Sequence, residues 1–164
     1  MRFAYHFEPT VGWMNDPNGL GYFGGQYHAF FQHNPYAPKW DTMHWGHATS
    51  TDLIHWNETD IALYPDREYE DKGGCFSGSA IEREGRLHLF YTSVSEDLGQ
   101  TQSLAISKDG LHFEKYEGNP VIGGYPEDYP NRDDWGVAVI GAGVKIAEDT
   151  KVEPKAMIEK DVEV

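Results

Sequence analysis

The stretch GGQYHAFFQ, residues 24–32, decides the fold, because its pattern returns later as EGRLHLFYT at residues 84–92. The two copies carry glycine, histidine and phenylalanine at matching places, 60 positions apart. A second pair, ATSTDLIHW at 48–56 and AISKDGLHF at 105–113, shares Ala, Ser, Asp, His and a closing aromatic residue 57 positions apart. The chain up to Pro120 is therefore interpreted as two copies of one unit.

Each copy contains short segments in which apolar and polar residues alternate, which predicts strands at 27–32, 45–50, 87–92 and 104–107. Turn residues such as Gly, Asp and Asn separate these segments. Four short strands in about 40–60 residues is the spacing of β-propeller blades. The sequence therefore predicts an all-β chain that begins with two blades and the start of a third.

The pattern changes after Trp135. Two series of small or branched residues then recur with a step of six, namely Ile140, Ile146, Val152 and Ile158, and Ala138, Val144, Thr150, Ala156 and Val162. This step is typical of a hexapeptide-repeat parallel β-helix, and the segment resembles the β-helix of bacterial sugar-nucleotide pyrophosphorylases. We predict an incomplete propeller domain over residues 1–135 and a short β-helix-like tail over 136–164. The stretch VAVIGAG, residues 137–143, resembles a strand that leads into a dinucleotide-binding turn, but it lacks the third glycine of that motif. A nucleotide-binding site is therefore not expected here.

Composition excludes several classes of partner. With 13 Lys and Arg against 27 Asp and Glu, the formal charge of -14 repels nucleic acid and anionic membranes. A single cysteine, Cys75, permits no internal disulfide and argues against a thiolate metal site. His44 and His47 lack a third ligand nearby and fall on opposite faces of a predicted strand, so no metal is expected. Without a visible signal peptide the expected location is cytoplasmic, unless an export segment was lost from the N-terminus.

The strongest local motif is WMNDPNGL, residues 13–20. Pro17 fixes its own backbone and Asn18-Gly19 readily adopts positive φ, so the motif predicts a tight turn. A carboxylate held rigidly at Asp16 beside the indole of Trp13 would suit a nucleophile that attacks a sugar. A plain structural turn is the alternative interpretation.

Four further blocks follow in order, namely FFQHNP at 30–35, MHWGHATSTDLIHW at 43–56, FSGSA at 76–80 and NPVI at 119–122. Together with WMNDPNGL they resemble the β-fructosidases of glycoside hydrolase family 32. The resemblance implies a five-bladed propeller and cofactor-free cleavage of terminal β-D-fructofuranosyl residues by double displacement with retention. The implied substrates are small carbohydrates: sucrose, sucrose 6-phosphate or fructans.

The resemblance also implies roles for individual residues. Asp16 matches the nucleophile, and Asp133, in an Arg-Asp-Asp block where the family has Arg-Asp-Pro, is a candidate transition-state stabiliser. The residues that match or adjoin the fructosyl-binding positions are Trp13, Asn15, Gln32, Trp40, Phe76, Ser77 and Arg132. Without the resemblance, Trp40 would be interpreted as a packed surface aromatic, and Phe76 and Ser77 as core and edge residues.

The family's general acid/base is a Glu in a Glu-Cys block, and the six-residue repeat stands where that block should begin. A retaining glycosidase needs this second carboxyl group about 5–5.5 Å from the nucleophile. Two hypotheses therefore remain, a β-fructofuranosidase and a truncated or fused non-catalytic fragment that at most binds fructosides. Sucrose hydrolysis compared with an Asp16→Ala variant distinguishes them.

Overall fold

The computed structural model describes residues 7–123 and the backbone of two short strands further along the chain. The chain divides into two compact units, Met1–Tyr125 and Pro126–Val164. Arg132, Asp133 and the predicted boundary at residue 135 lie outside the described residues, and so does most of the predicted hexapeptide tail. None of the described segments is a helix long and apolar enough to cross a membrane.

The first unit contains two antiparallel four-stranded sheets. Sheet 1 consists, in spatial order, of β1 (Trp13–Phe23), β2 (Gln26–Asn34), β3 (His44–Ser50) and β4 (Asn57–Glu58). Sheet 2 repeats this order with β5 (Gly74–Arg83), β6 (Arg86–Ser95), β7 (Gly99–Ser107) and β8 (Glu114–Lys115). A short 3-10 helix, Glu68–Glu70, lies between the sheets in sequence. The prediction of an all-β fold and of four strands, now β2, β3, β6 and β7, is confirmed.

The repeat extends to individual hydrogen bonds. In the turn after β3, Asp52 Oδ1 accepts from the backbone N–H groups of Ile54 and His55 at 2.8 and 2.7 Å. In the turn after β7, Asp109 Oδ1 accepts from the corresponding two residues at 2.9 Å each. A carboxylate that binds backbone N–H groups in this way replaces the missing ladder bonds of a tight turn. The shared Ser-x-Asp-x-x-His pattern therefore encodes one turn built twice.

The prediction of a tight turn at WMNDPNGL is wrong, because this motif forms most of β1. The pairing of β1 with β2 shifts register between Met14 and Pro17 and again between Asn18 and Gly21, so the strand is bulged. Pro17 is tolerated because β1 is an edge strand of its sheet. Gly19 has a φ of 50°, and a Cβ there would lie 3.1 Å from the Ala80 side chain of sheet 2. The turn-forming residues thus bend a strand and allow a close approach between sheets.

The core lies between the two sheets. Phe30 and Trp45 of sheet 1 pack against Leu87, Leu89 and Tyr91 of sheet 2, and all five are buried. Alternation along β2, β3, β6 and β7 turns these side chains toward one another. Strands β1 and β5, each the first strand and one edge of its sheet, are called the inner strands here because they contact each other. This contact places their bulged residues side by side.

The second unit contributes one described feature. Strands β9 (Val139–Ile140) and β10 (Met157–Ile158) pair in parallel, with Val139 opposite Met157 and Ile140 opposite Ile158. Partners in this pair are 18 residues apart, which is the length of three six-residue repeats.

Candidate active site

Asp16 lies in the first bulge of β1, and its side chain is exposed. The hydroxyl of Ser77 on β5 donates a hydrogen bond of 2.9 Å to Asp16 Oδ2. The pairing of β5 with β6 also shifts register between Phe76 and Gly78, so Ser77 occupies a bulge as well. Bulges redirect a side chain relative to the regular ladder. Two adjacent inner strands therefore use the same irregularity to bring a carboxylate and a hydroxyl together.

Glycines beside the bulge allow β5 to take this path. A Cβ on Gly78 would clash with the Phe90 carbonyl oxygen at 1.9 Å. Gly74 has a φ of 88°, and a Cβ there would lie 2.3 Å from the Met43 carbonyl oxygen. Such contacts exclude any side chain at either position without movement of the backbone.

Aromatic side chains stand beside the Asp16–Ser77 pair. Trp40, from the loop between β2 and β3, contacts Phe76 edge to face with ring centroids 6.1 Å apart. Its indole is 56% exposed, so it is packed on one side and free to contact a ligand on the other. The backbone carbonyl of Phe76 accepts a hydrogen bond of 3.0 Å from the buried Trp45 indole N–H, which fixes this part of β5 against sheet 1.

Gln32 occupies a supporting position behind these residues. It is 3% exposed, and its Nε2 donates to the Cys75 carbonyl oxygen at 2.9 Å, across the interface between the sheets. Cys75 itself is buried, and burial, with Glu70 nearby, raises the pKa of its thiol well above the ordinary range. A thiol in this state is unreactive, in agreement with a structural role.

Trp13 and Asn15 form a local pair at the start of β1. The indole N–H of Trp13 donates to Asn15 Oδ1 at 2.8 Å, and the Trp13 carbonyl lies 2.8 Å from His33 Nδ1. This hydrogen bond orients the side-chain amide of Asn15, the residue that precedes Asp16. The amide N–H groups of Asn15 remain the donors that could reach a ligand hydroxyl.

The histidines of β3 are engaged within the fold. His44 Nδ1 lies 3.3 Å from the Thr42 carbonyl oxygen, and His47 Nε2 lies 2.9 Å from His28 Nδ1. Within residues 7–123 there is no cluster of three or more His, Cys, Asp or Glu side chains arranged for a metal.

The structure thus brings together Asp16, Ser77, Trp40 and Phe76, with Gln32 behind them. Sequence reasoning missed the bulges that carry Asp16 and Ser77, although a proline and two asparagines between aromatic residues in a strand-length stretch are a signal for the bulges of β1. It also missed Asn18, which is 2% exposed and whose amide has no partner among the described residues.

Comparison with known proteins gives a consistent picture. The model of the family described as "Glycosyl hydrolases family 32 N-terminal domain" matches residues 6–134. The sucrose-6-phosphate hydrolase of Escherichia coli is 51% identical over 119 residues, covering 68% of this chain and 25% of that protein. The levanase of Bacillus subtilis is 46% identical over 132 residues, covering 74% of this chain and 19% of that protein. The chain spans about a quarter of the length of the curated sucrose-6-phosphate hydrolase and raffinose invertase that it matches.

Solved structures share the fold. The fructan 1-exohydrolase IIa of Cichorium intybus superposes with a TM-score of 0.70 at 39% identity, covering 77% of this chain and 24% of that one. The β-fructofuranosidase BmSUC1 of Bombyx mori superposes with a TM-score of 0.68 at 44% identity, covering 77% of this chain and 27% of that one.

Proposed function

Because the chain belongs to glycosyl hydrolase family 32, we propose that it carries the nucleophile and part of the fructosyl-binding site of a retaining β-fructofuranosidase. The observation that supports this most directly is the exposed Asp16 carboxylate, which accepts a hydrogen bond from Ser77. Phe76 precedes Ser77 in β5, and its ring contacts that of Trp40. An exposed carboxylate that is oriented by a neighbouring hydroxyl is suited to attack on an anomeric carbon.

The proposed chemistry begins at Asp16. Ser77 occupies Oδ2, and among the described residues Oδ1 accepts no hydrogen bond, so Oδ1 is the oxygen free to attack. As the new carbon–oxygen bond forms, the bond to the leaving oxygen breaks, and that oxygen takes a proton from a general acid. Water then hydrolyses the fructosyl ester and regenerates the carboxylate. We assign the general acid to none of residues 7–123.

The other site residues have roles that follow from their positions. Trp40 and Phe76 would face the sugar ring, while the Asn15 amide and the Ser77 hydroxyl would contact its hydroxyl groups. Gln32 would act mainly by holding β5 in place through the Cys75 carbonyl. Arg132, as a ligand of the substrate, and Asp133, as transition-state stabiliser, also belong to the proposal.

The proposed substrates follow from the relatives, which include proteins named sucrose-6-phosphate hydrolase, raffinose invertase and levanase. Two of the structural neighbours are complexes with sucrose or 1-kestose. The substrate class common to these names is a carbohydrate with a terminal β-fructofuranosyl unit.

The experiment that tests the nucleophile is trapping of the fructosyl ester. The chain is incubated with an activated β-fructosyl donor that carries a good leaving group, quenched in acid and mapped by peptide mass. We expect the adduct on Asp16, and none in Asp16→Ala. Asp97→Asn, which changes an exposed carboxylate in the turn after β6, is the matched control and should be labelled normally. Labelling of another residue, or of Asp16→Ala to the same extent, would contradict the assignment.

Binding without hydrolysis is the second candidate function. It predicts equal background rates of sucrose hydrolysis for the chain and for Asp16→Ala, together with retained binding of sucrose. A rate that depends on Asp16 would instead support the enzyme.

The architecture beyond the two sheets is also part of the proposal. We infer that sheets 1 and 2 are the first two blades of a five-bladed propeller, and that residues 136–164 form a hexapeptide-repeat tail. The parallel pairing of β9 with β10 at a separation of 18 residues supports the tail, because three hexapeptides make one coil of such a helix.

A further inference from the structure

A cleft with a volume of about 610 Å³ opens beside the loop that joins β2 to β3. Lys39 and Asp41 line this cleft, whereas Trp40 between them turns its ring toward Phe76. The loop therefore separates the cleft from the Asp16 site. The cleft volume falls within the range of about 300–1,000 Å³ that is common for small-molecule sites.

Two tyrosines flank the cleft, and both are held in place by one imidazole. Tyr36 and Tyr64 contact the His44 ring edge to face, with centroids 5.5 and 5.7 Å away. His44 is buried, whereas Tyr36 is 80% exposed and Tyr64 is 47% exposed. Aromatic rings that are exposed yet fixed by a buried partner lose little entropy when a ligand stacks on them. The pair is thus a preorganised apolar surface in the cleft.

The charges around the tyrosines are already compensated within the chain. Lys39 Nζ lies 3.3 Å from Asp41 Oδ2, and Asp66 Oδ1 accepts from Lys115 Nζ at 2.6 Å. The backbone N–H of Thr42 and the neighbouring Lys39 lower the pKa of Asp41, so its carboxylate remains an acceptor. A charged ligand gains little from such paired groups. Hydroxyl groups can donate to the free lone pairs of these carboxylates.

From this combination we propose that the cleft between Tyr36 and Tyr64 is a second saccharide-binding site, which binds neutral sugar rings and does not hydrolyse them. The apolar C–H face of a ring would stack on the tyrosines, and its hydroxyls would donate to Asp41 and Asp66. The choice of sugars as the ligand class rests on the proposed function, whereas the preorganised tyrosines and the paired charges do not depend on it.

The test is chemical-shift mapping on the ¹⁵N-labelled 164-residue chain, titrated with sucrose and with 1-kestose. We expect saturable shifts at the amides of Ala37, Thr42 and Asp66, with millimolar affinity. Tyr36→Ala should weaken binding at these amides by at least about fivefold, which corresponds to the loss of one aromatic contact. Because Tyr36 is 80% exposed, this variant retains the fold, and an unchanged spectrum elsewhere verifies that.

Tyr22→Ala is the matched control, since Tyr22 is 58% exposed and rests on another aromatic ring, that of Tyr27. It should leave the affinity unchanged. Shifts confined to Ser77 and its neighbours, or cleft shifts that Tyr36→Ala does not weaken, would overturn the second site and leave the proposed function standing. Cleft shifts without any at Ser77 would support the second site and count against a fructosyl site at Asp16.

Discussion

Acidification should lower the stability of the chain, because His47 takes up a proton more readily in the unfolded chain than in the folded one. This residue is fully buried in sheet 1, where burial, assisted by the neighbouring His28, lowers its pKa from 6.5 to about 3. His28 Nε2 lies 3.1 Å from the Phe23 carbonyl oxygen and must carry a hydrogen there, so its Nδ1 accepts from His47 Nε2–H. The Thr59 hydroxyl, 2.8 Å from His47 Nδ1, supplies the remaining hydrogen bond. This arrangement requires His28 to be neutral and provides both ring nitrogens of a neutral His47 with a hydrogen bond.

The sign of the effect follows from the direction of the shift. His47 binds a proton at higher pH in the unfolded chain than in the folded chain, so its contribution to stability is complete above pH 6.5 and is lost as the pH falls toward 3. With these two values, acidification from about pH 7.5 to about pH 5 removes about 2 kcal/mol of unfolding free energy. Burial also lowers the pKa of His28 and His44, which acts in the same direction, whereas pairing with Asp109 raises the pKa of the exposed His112, which opposes it.

The assay is urea unfolding, followed by tryptophan fluorescence, at a series of pH values. His47→Leu is the informative variant, because Leu104 occupies the corresponding position of sheet 2, opposite Phe90 as His47 is opposite Phe30. This variant should lose about 2 kcal/mol less than the unmodified chain between pH 7.5 and pH 5, whatever its stability at neutral pH.

Phe113→Leu serves as the control for a general loss of core packing. Phe113 packs against the same ring cluster, with its centroid 6.3 Å from that of His47 and 5.5 Å from that of Phe30. This variant should be less stable at every pH and should retain the full pH dependence. Equal acid losses in His47→Leu and the unmodified chain would refute the assignment of the effect to this imidazole.

Three further predictions concern stability and reactivity. Lys115→Met should cost about 3–5 kcal/mol of unfolding free energy, because it leaves the fully buried Glu70 carboxylate without its cation, and adding Glu70→Gln should restore part of the loss in urea titrations. Glu84→Asn should raise the unfolding free energy by about 0.5–1 kcal/mol in thermal melts, because Glu84 has a φ of 54° in a two-residue hairpin turn that favours Asn-Gly. Cys75 should react with a disulfide reagent such as DTNB only as fast as the chain opens, and rapid modification of the folded protein would contradict its burial.

The parts of the fold that could be predicted from the sequence are those with regular alternation. Burial alternates along β6 and β7, whereas every residue of β3 is buried and the adjacent Phe30 and Phe31 of β2 are both buried. The matched turns at Asp52 and Asp109 repeat the same side-chain hydrogen bonds. The strand β1 was mistaken for a turn because proline and glycine are ordinarily turn residues, and only the pairing with β2 shows that they bend a strand instead.

Hydrogen bonds between side chains far apart in sequence could not be predicted in the same way. The His28–His47 hydrogen bond joins residues that are diagonal neighbours, since His28 is directly opposite Thr49, so it depends on the register of β2 with β3. The cluster of Glu70 with Lys115 and Tyr91 joins the 3-10 helix to two strands of sheet 2, and its members are up to 45 residues apart. Only the folded arrangement places these polar groups together and satisfies them.

The candidate site depends on how sheet 2 is held against sheet 1. Asp16 and Ser77 belong to different sheets, and each lies in an inner strand whose ladder is interrupted at that point. Two hydrogen bonds from sheet 1, from the Gln32 amide and the Trp45 indole, fix the backbone of β5 immediately before Ser77. A bulged strand is locally free of its own ladder, so these bonds across the interface set its position. The buried polar groups of Gln32 and Trp45 therefore serve to position β5. The packing that forms the core also aligns the Ser77 hydroxyl with the Asp16 carboxylate.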